Sequence, residues 1–268
     1  PGSAGNQTTF TFSCWVKLGS AHDVHDQGII STGSGHTAGV RLKSSGELEL
    51  NWSSTTPIND TTAIFRDPSS WYHFVWKADG TTSKFYINNV EVLSETVSGD
   101  SDINGTGLHY IGRDSWGNNY FDGHLAEINF IDGSALAPTS FGEVDEDYGH
   151  WKAKKYGGTY GTNGFFLDFE TSGTLGNDAS SNSNNWTSNN LAAADQTVDS
   201  PTNNFATLNP AHRFYHTDTM GVAVISEGNL KAKATSDQVQ YFKSPFRMEG
   251  KMYFESMPIT QGYQVIGF

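Results

Sequence analysis

Thr9-Phe10-Thr11-Phe12-Ser13-Cys14-Trp15-Val16-Lys17 alternates apolar and polar residues with period two. Phe10, Phe12, Cys14 and Val16 share one face, while Thr9, Thr11, Ser13 and Lys17 share the other, the pattern of a half-buried strand. The same reading extends along the chain. Gly28 to Ile30, Gly39 to Leu42, Glu47 to Trp52, Trp71 to Lys77, His109 to Arg113, Phe121 to Ile131 and Phe165 to Phe169 are short strand candidates bounded by turn residues. Lys84 to Val92 splits at Asn88-Asn89, and Asn tolerates the positive φ of a two-residue hairpin turn. Ala137 to Phe141 reads as a single helical turn. Strands recurring about every 8–15 residues without helical periodicity imply an all-β fold, an antiparallel sandwich.

Composition agrees with this reading. Gly, Asn, Ser and Thr supply 103 of the 268 residues, which suits turns and short strands and disfavours long helices. With 16 basic and 29 acidic residues the net charge is −13. A nucleic-acid partner is therefore excluded, because phosphate binding needs clustered Lys and Arg. No run of 18 apolar residues is present to span a membrane as a helix. Cys14 is the single cysteine, which excludes an internal disulfide framework and a zinc knuckle.

The acidity is concentrated. Residues 95–147 hold eleven acids and one base, Arg113, whereas residues 201–268 carry a slight positive excess. Sixteen of the twenty residues from Thr171 to Asn190 are Ser, Thr, Asn or Gly, a composition that buries little apolar surface. Strand patterning returns past Asn209-Pro210, at Val222 to Ile225, Asn229 to Ala234, Lys251 to Glu255 and Tyr263 to Phe268. The expected organisation is a sandwich over residues 1–170, a polar linker over 171–209 and the first strands of a second β-sandwich over 210–268. Pro1-Gly2-Ser3-Ala4-Gly5 reads as a cut end, and the apolar strand ending at Phe268 reads as an incomplete sheet.

Phe10 to Lys17 is similar to the opening strand motif of laminin-G-like and pentraxin-like jelly rolls. Trp71-Tyr72-His73-Phe74-Val75, followed by Phe85-Tyr86-Ile87-Asn88-Asn89-Val90, resembles that family's central hairpin. Tyr110-Ile111-Gly112-Arg113, Phe121 to Ile128 and Ala135-Leu136 complete the pattern. Ser226-Glu227-Gly228-Asn229-Leu230, Gly250 to Glu255 and Val265-Ile266-Gly267-Phe268 resemble the first strands of a SPRY domain. The tandem order, together with Asp67 to His73 and Lys154 to Phe165, looks like virion structural proteins of tailed marine phages and cyanophages. The resemblance implies a concanavalin A-like jelly roll in a non-enzymatic structural and adhesive virion protein. It further implies other virion proteins as partners, host surface polysaccharide as a ligand, and a homo-oligomer. Two rivals are a purely architectural virion protein without a sugar site and a polysaccharide depolymerase.

Four clusters suggest chemistry. Glu143, Asp145 and Asp147 alternate as strand carboxylates of a jelly-roll glucanase would, yet Glu146 and the turn-like Ser140-Phe141-Gly142 favour a solvated acidic loop. His22 and His25 are spaced for a shared metal on a helical turn, but Gly and Ser surround them. Calcium suits oxygen-rich loops, with Asp114 and Asp122 as ligands and Asp178, Asn182 and Asn184 as a second set; self-capping turns are the alternative. Trp116, Asn118, Asn119 and Tyr120 combine stacking faces with amides on one loop, which suits a glycan. Trp52 and Trp186 are further stacking candidates, while Trp15 and Trp71 are expected in the core.

Overall fold

The computed structural model describes residues 1–19, 25–33, 38–54, 56–115, 119–209, 214–215, 223–234, 240–241, 255 and 257. The strands are β1 (Thr9–Leu18), β2 (Gln27–Thr32), β3 (Ala38–Leu42), β4 (Leu48–Ser53), β5 (Thr56–Asp60) and β6 (Trp71–Asp79). They continue as β7 (Thr82–Ile87), β8 (Val90–Thr96), β9 (His109–Ile111), β10 (Gly123–Asp132), β11 (Gly142–Val144), β12 (Trp151–Ala153) and β13 (Phe165–Leu167). Two pieces of two residues and two of four follow: β14 (Phe214–Tyr215), β15 (Ala223–Ser226), β16 (Lys231–Ala234) and β17 (Gln240–Tyr241). A six-stranded antiparallel sheet in the order β13-β10-β1-β6-β7-β8 faces a five-stranded sheet in the order β5-β4-β3-β2-β9. The all-β, jelly-roll expectation is borne out. Of the strand motifs beyond residue 241, all but Glu255 lie outside the described residues.

Alternation decides what fills the space between the sheets. Phe10, Phe12, Cys14, Val16 and Leu18 of β1 meet Val40, Leu42, Leu48, Leu50 and Trp52 of the opposing sheet. Phe10 is the hub, stacked on Trp52 at 5.9 Å and edge-on to Trp76 at 5.2 Å. Each such side chain contributes about 1.5–3 kcal/mol by leaving water. Trp52 is fully buried in this lattice, so it is not a stacking face for a ligand. Burial also pushes the Cys14 thiol well above its ordinary range, which keeps it protonated.

β1 is not half-buried as its alternation predicts. Thr11, Ser13, Trp15 and Lys17 point away from the inter-sheet core, yet each is also buried. Later parts of the chain cover this outer face. Thr11 Oγ1 donates to the Ser134 carbonyl and accepts from the Leu136 N–H, both at 2.8 Å. A 3-10 turn at Pro138–Ser140 leads into the β11–β12 hairpin, and Phe141, Tyr160, Ile131 and Phe166 form a second apolar cluster outside the sheet. Residues 199–205 then close over Lys17. A polar residue in an alternating strand is thus no sign of water when another segment supplies its partners.

The Asn88-Asn89 turn adopts φ of 48° and 67°, the double left-handed conformation of a two-residue hairpin, and joins β7 to β8. β5 escapes the sequence reading because Pro57, Asn59 and Asp60 depress its strand signal. It sits at a sheet edge, where a proline costs no ladder bond. From Asp168 to Asn209 the described chain has a single 3-10 turn, Ala193–Asp195, and an isolated bridge between Ser200 and Asn203.

Candidate functional site

Among the described residues, the outer face of the five-stranded sheet carries a connected set of charged and polar side chains. Val40 and Leu50 point inward, so Arg41 on β3 and Glu49 and Asn51 on β4 point out. One row across the sheet is Tyr110, Ser31, Gly39 and Asn51; the next holds Gly28, Arg41 and Glu49. Glycine at 28 matters, because a Cβ there would collide with the backbone of Arg113 and Asp114, which crosses directly above β2.

That crossing segment forms the rim. The Arg113 guanidinium lies 4.3 Å from the Tyr110 ring centroid and 5.8 Å from that of Tyr120. Tyr120 is 53% exposed, so one aromatic face remains available. Asn119 binds inward: its carbonyl accepts the N–H groups of Gly28 (3.1 Å) and Asp114 (3.2 Å), and its amide donates to the Asp114 carboxylate. Trp116 and Asn118 lie outside the described residues. Arg41 Nη2 bonds both oxygens of Glu49 at 2.8 Å, and Nη1 lies 3.4 Å from Asp26 and 4.0 Å from Asp114. Asn51 adds its amide to Glu49 at 2.7 Å. The residues missed by sequence reading are therefore Arg41, Glu49, Asn51, Tyr110 and Arg113. The alternation of β3 and β4 carried the signal for the first three.

This arrangement does not fit calcium at Asp114 and Asp122. A Ca2+ ion needs converging oxygen lone pairs, whereas the buried Asp114 faces an arginine and an amide donor. The Asp122 N–H is held by Gln27 Oε1 at 2.9 Å. Among the described residues no three His, Cys, Asp or Glu side chains converge as metal ligands. The second oxygen-rich set is a self-capping turn: Asp178 accepts N–H bonds from Phe166, Ser180 and Asn184, and Asn182 and Asn184 donate to the Gly164 carbonyl. Trp186 packs edge-on against Phe165 at 5.0 Å within this loop. His22, Asp23 and Val24 lie outside the described residues.

The catalytic candidates have structural duties. Glu143 sits on β11, but Asp145 lies in the following turn, where it accepts from the Asp147 and Tyr148 N–H groups and from Lys152 at 3.0 Å. Those bonds hold its carboxyl down at about 2, and the carboxylates do not line one strand face. A serine–histidine contact exists elsewhere, Ser13 Oγ to His73 Nε2 at 2.9 Å on the covered face of the six-stranded sheet. Trp151 Nε1 donates to His73 Nδ1 at 3.0 Å, so Nδ1 is the acceptor and the proton is on Nε2. His73 therefore donates to Ser13 and cannot take its proton. Burial lowers the imidazole to about 3, and the ring stacks 4.7 Å from Trp15.

A family model described as Laminin_G_3, concanavalin A-like lectin/glucanases superfamily, matches residues 2–139. No curated protein sequence matches the chain. Similar solved structures include a protein described as carbohydrate-binding from Bacteroides ovatus, at 18% identity and TM-score 0.39, covering 50% of this chain and 39% of that one. Another is domain 4 of AbnA, an extracellular arabinanase from Geobacillus stearothermophilus in complex with arabinotriose (21%, 0.39, 51% and 65%). A third is a SAP-like pentraxin from Limulus polyphemus (19%, 0.37, 50% and 68%). The chain thus spans less than two thirds of the first two proteins.

Proposed function

Because the chain belongs to the concanavalin A-like lectin/glucanases superfamily, we propose that it is a non-enzymatic glycan-binding protein of a tailed-phage virion. The observation that carries the binding reading is the Tyr110–Arg113–Tyr120 rim, where an exposed aromatic face stands beside a guanidinium on an otherwise acidic segment. Such a set stacks on the apolar face of a sugar ring and hydrogen-bonds its hydroxyls. Acids outnumber bases around it, so a neutral glycan is favoured over an anionic polymer. We assign Trp116, Asn118 and Tyr120 to ligand contact and Asn119 to holding the loop through Asp114.

The virion assignment rests on the tandem motif order and places the protein among other virion proteins, as a homo-oligomer on tail, fibre or capsid surface. Repetition on a particle multiplies a weak single-site affinity. A glycan array probed with the multivalent protein tests the reading. Tyr120→Ala and Trp116→Ala are each expected to weaken binding about tenfold, a loss of about 1.4 kcal/mol, without lowering the melting temperature. Absence of any glycan signal for the parent protein would sink the adhesive reading and leave the architectural one.

A further inference from the structure

β2 connects two poles of the sandwich. Gln27 and Gly28 at its start bond the rim loop, whereas Thr32 and the following Gly33 line a depression of about 440 Å3 at the other end. The six residues of β2 span roughly 20 Å from one pole to the other. The volume lies within the range of small-ligand sites. The turn after β4 supplies Ser54, the segment before β9 supplies Asp102 and Thr106, and Gln7 closes the side next to β1.

The fold fixes these groups and leaves specific atoms open. Asp102 Oδ2 accepts the Ser54 backbone N–H at 3.1 Å, and the Asp102 N–H donates to the Trp52 carbonyl at 3.1 Å. Gln7 Nε2 donates to the Ser101 carbonyl. Those bonds orient both side chains while Asp102 Oδ1 and Gln7 Oε1 have no partner among the described residues. The hydroxyls of Ser54 and Thr106 are exposed and have no partner among the described residues. No Lys, Arg or His lines the depression. Two fixed oxygen acceptors flanked by two hydroxyls, with no cation, repel an anion and match a ligand bearing adjacent O–H donors.

We propose that this depression is a second sugar site, separate from the rim, which holds vicinal hydroxyls of a neutral hexopyranose between Asp102 and Gln7. It requires nothing of the rim, so the two readings fail independently. The experiment is an NMR titration of the nitrogen-15-labelled full chain with methyl α-mannoside, methyl α-glucoside and methyl β-galactoside, with N-acetylneuraminic acid as the anionic control. At least one neutral glycoside is expected to give saturable shifts at residues 7, 32–33, 54 and 102–107, with a Kd near the millimolar range. Tyr120→Ala should leave those shifts unchanged. Asp102→Asn keeps an oxygen for the Ser54 N–H but replaces the open acceptor with an NH2, and should weaken binding at least about tenfold. Thr106→Trp, at an exposed position, should abolish it by filling the depression. The proposal is overturned if no neutral glycoside shifts these residues, if shifts centre on Tyr110 and Tyr120 instead, or if both variants bind like the parent. Equal shifts with N-acetylneuraminic acid would overturn the neutral-ligand assignment.

Discussion

Single side chains on the covered face of the six-stranded sheet are held by partners far away in sequence, and His73 is the most sensitive of them. It is fully buried and neutral, between the Ser13 hydroxyl and the Trp151 indole. Its value falls from an ordinary 6.5 to about 3 because burial disfavours the charged ring. The unfolded chain therefore takes up the proton first. Its contribution is complete above about pH 6.5 and drains away as pH falls toward 3, by about 5 kcal/mol in full. Urea unfolding at pH 7, 5 and 4 should show the loss, and His73→Gln should unfold earlier at pH 7 with a deficit that narrows by pH 4. A deficit that stays constant with pH would mean His73 does not titrate in this window.

At the level of elements, strands that alternate strongly were legible, and those that do not were lost. β1, β4, β6 and β7 carry inward aromatics or aliphatics at every second position, so period and fold agree. β5 was hidden by Pro57, and β11 by the acids around it; each is placed by its pairing with a neighbouring strand. The β7–β8 turn was legible because Asn-Asn specifies it. Asn89→Gly should stabilise the protein by up to about 1 kcal/mol by relieving the left-handed residue, and Asn89→Val should cost about 1–2 kcal/mol. Thermal unfolding of both variants checks this, and a neutral Val would show that the turn does not fix the hairpin. The rim was half legible: a loop of Trp, Asn and Tyr is visible in sequence, but its support by Gly28, Arg113 and the β3–β4 charges exists only after pairing brings residues 28, 41, 49 and 113 together.

For the whole molecule, the decisive contact joins residue 17 to residue 199. The Lys17 ammonium is fully buried and bonds Asp199 Oδ2 (2.6 Å), Asn204 Oδ1 (2.7 Å) and the Phe205 carbonyl (2.6 Å), while Trp71 Nε1 donates to Asp199 Oδ1 at 2.9 Å. Asn229 donates to the Leu18 carbonyl at 3.3 Å, and the Gly228 carbonyl meets His124 at 2.9 Å, so residues 199–205 and 228–229 are bound to the first sandwich. Burial lowers the Lys17 pKa below its ordinary value, and the hydrogen bond and charge of Asp199 offset part of that effect. Removing one partner alone strands a buried charge: Asp199→Ala should cost about 3–5 kcal/mol, and the double variant Lys17→Met with Asp199→Leu much less. Denaturant midpoints of the three proteins decide it, with equal losses ruling out a coupled pair. The same contact sets a clock. β1 leaves the ribosome before the other strands, yet its lysine meets its counter-ion only after 182 more residues are made. Until Asp199 is made, the Lys17 end of the central strand lacks its cover on the outer face. Stalling anywhere between Lys17 and Asp199 thus leaves a cationic, aromatic flank open to chaperones or to neighbouring copies.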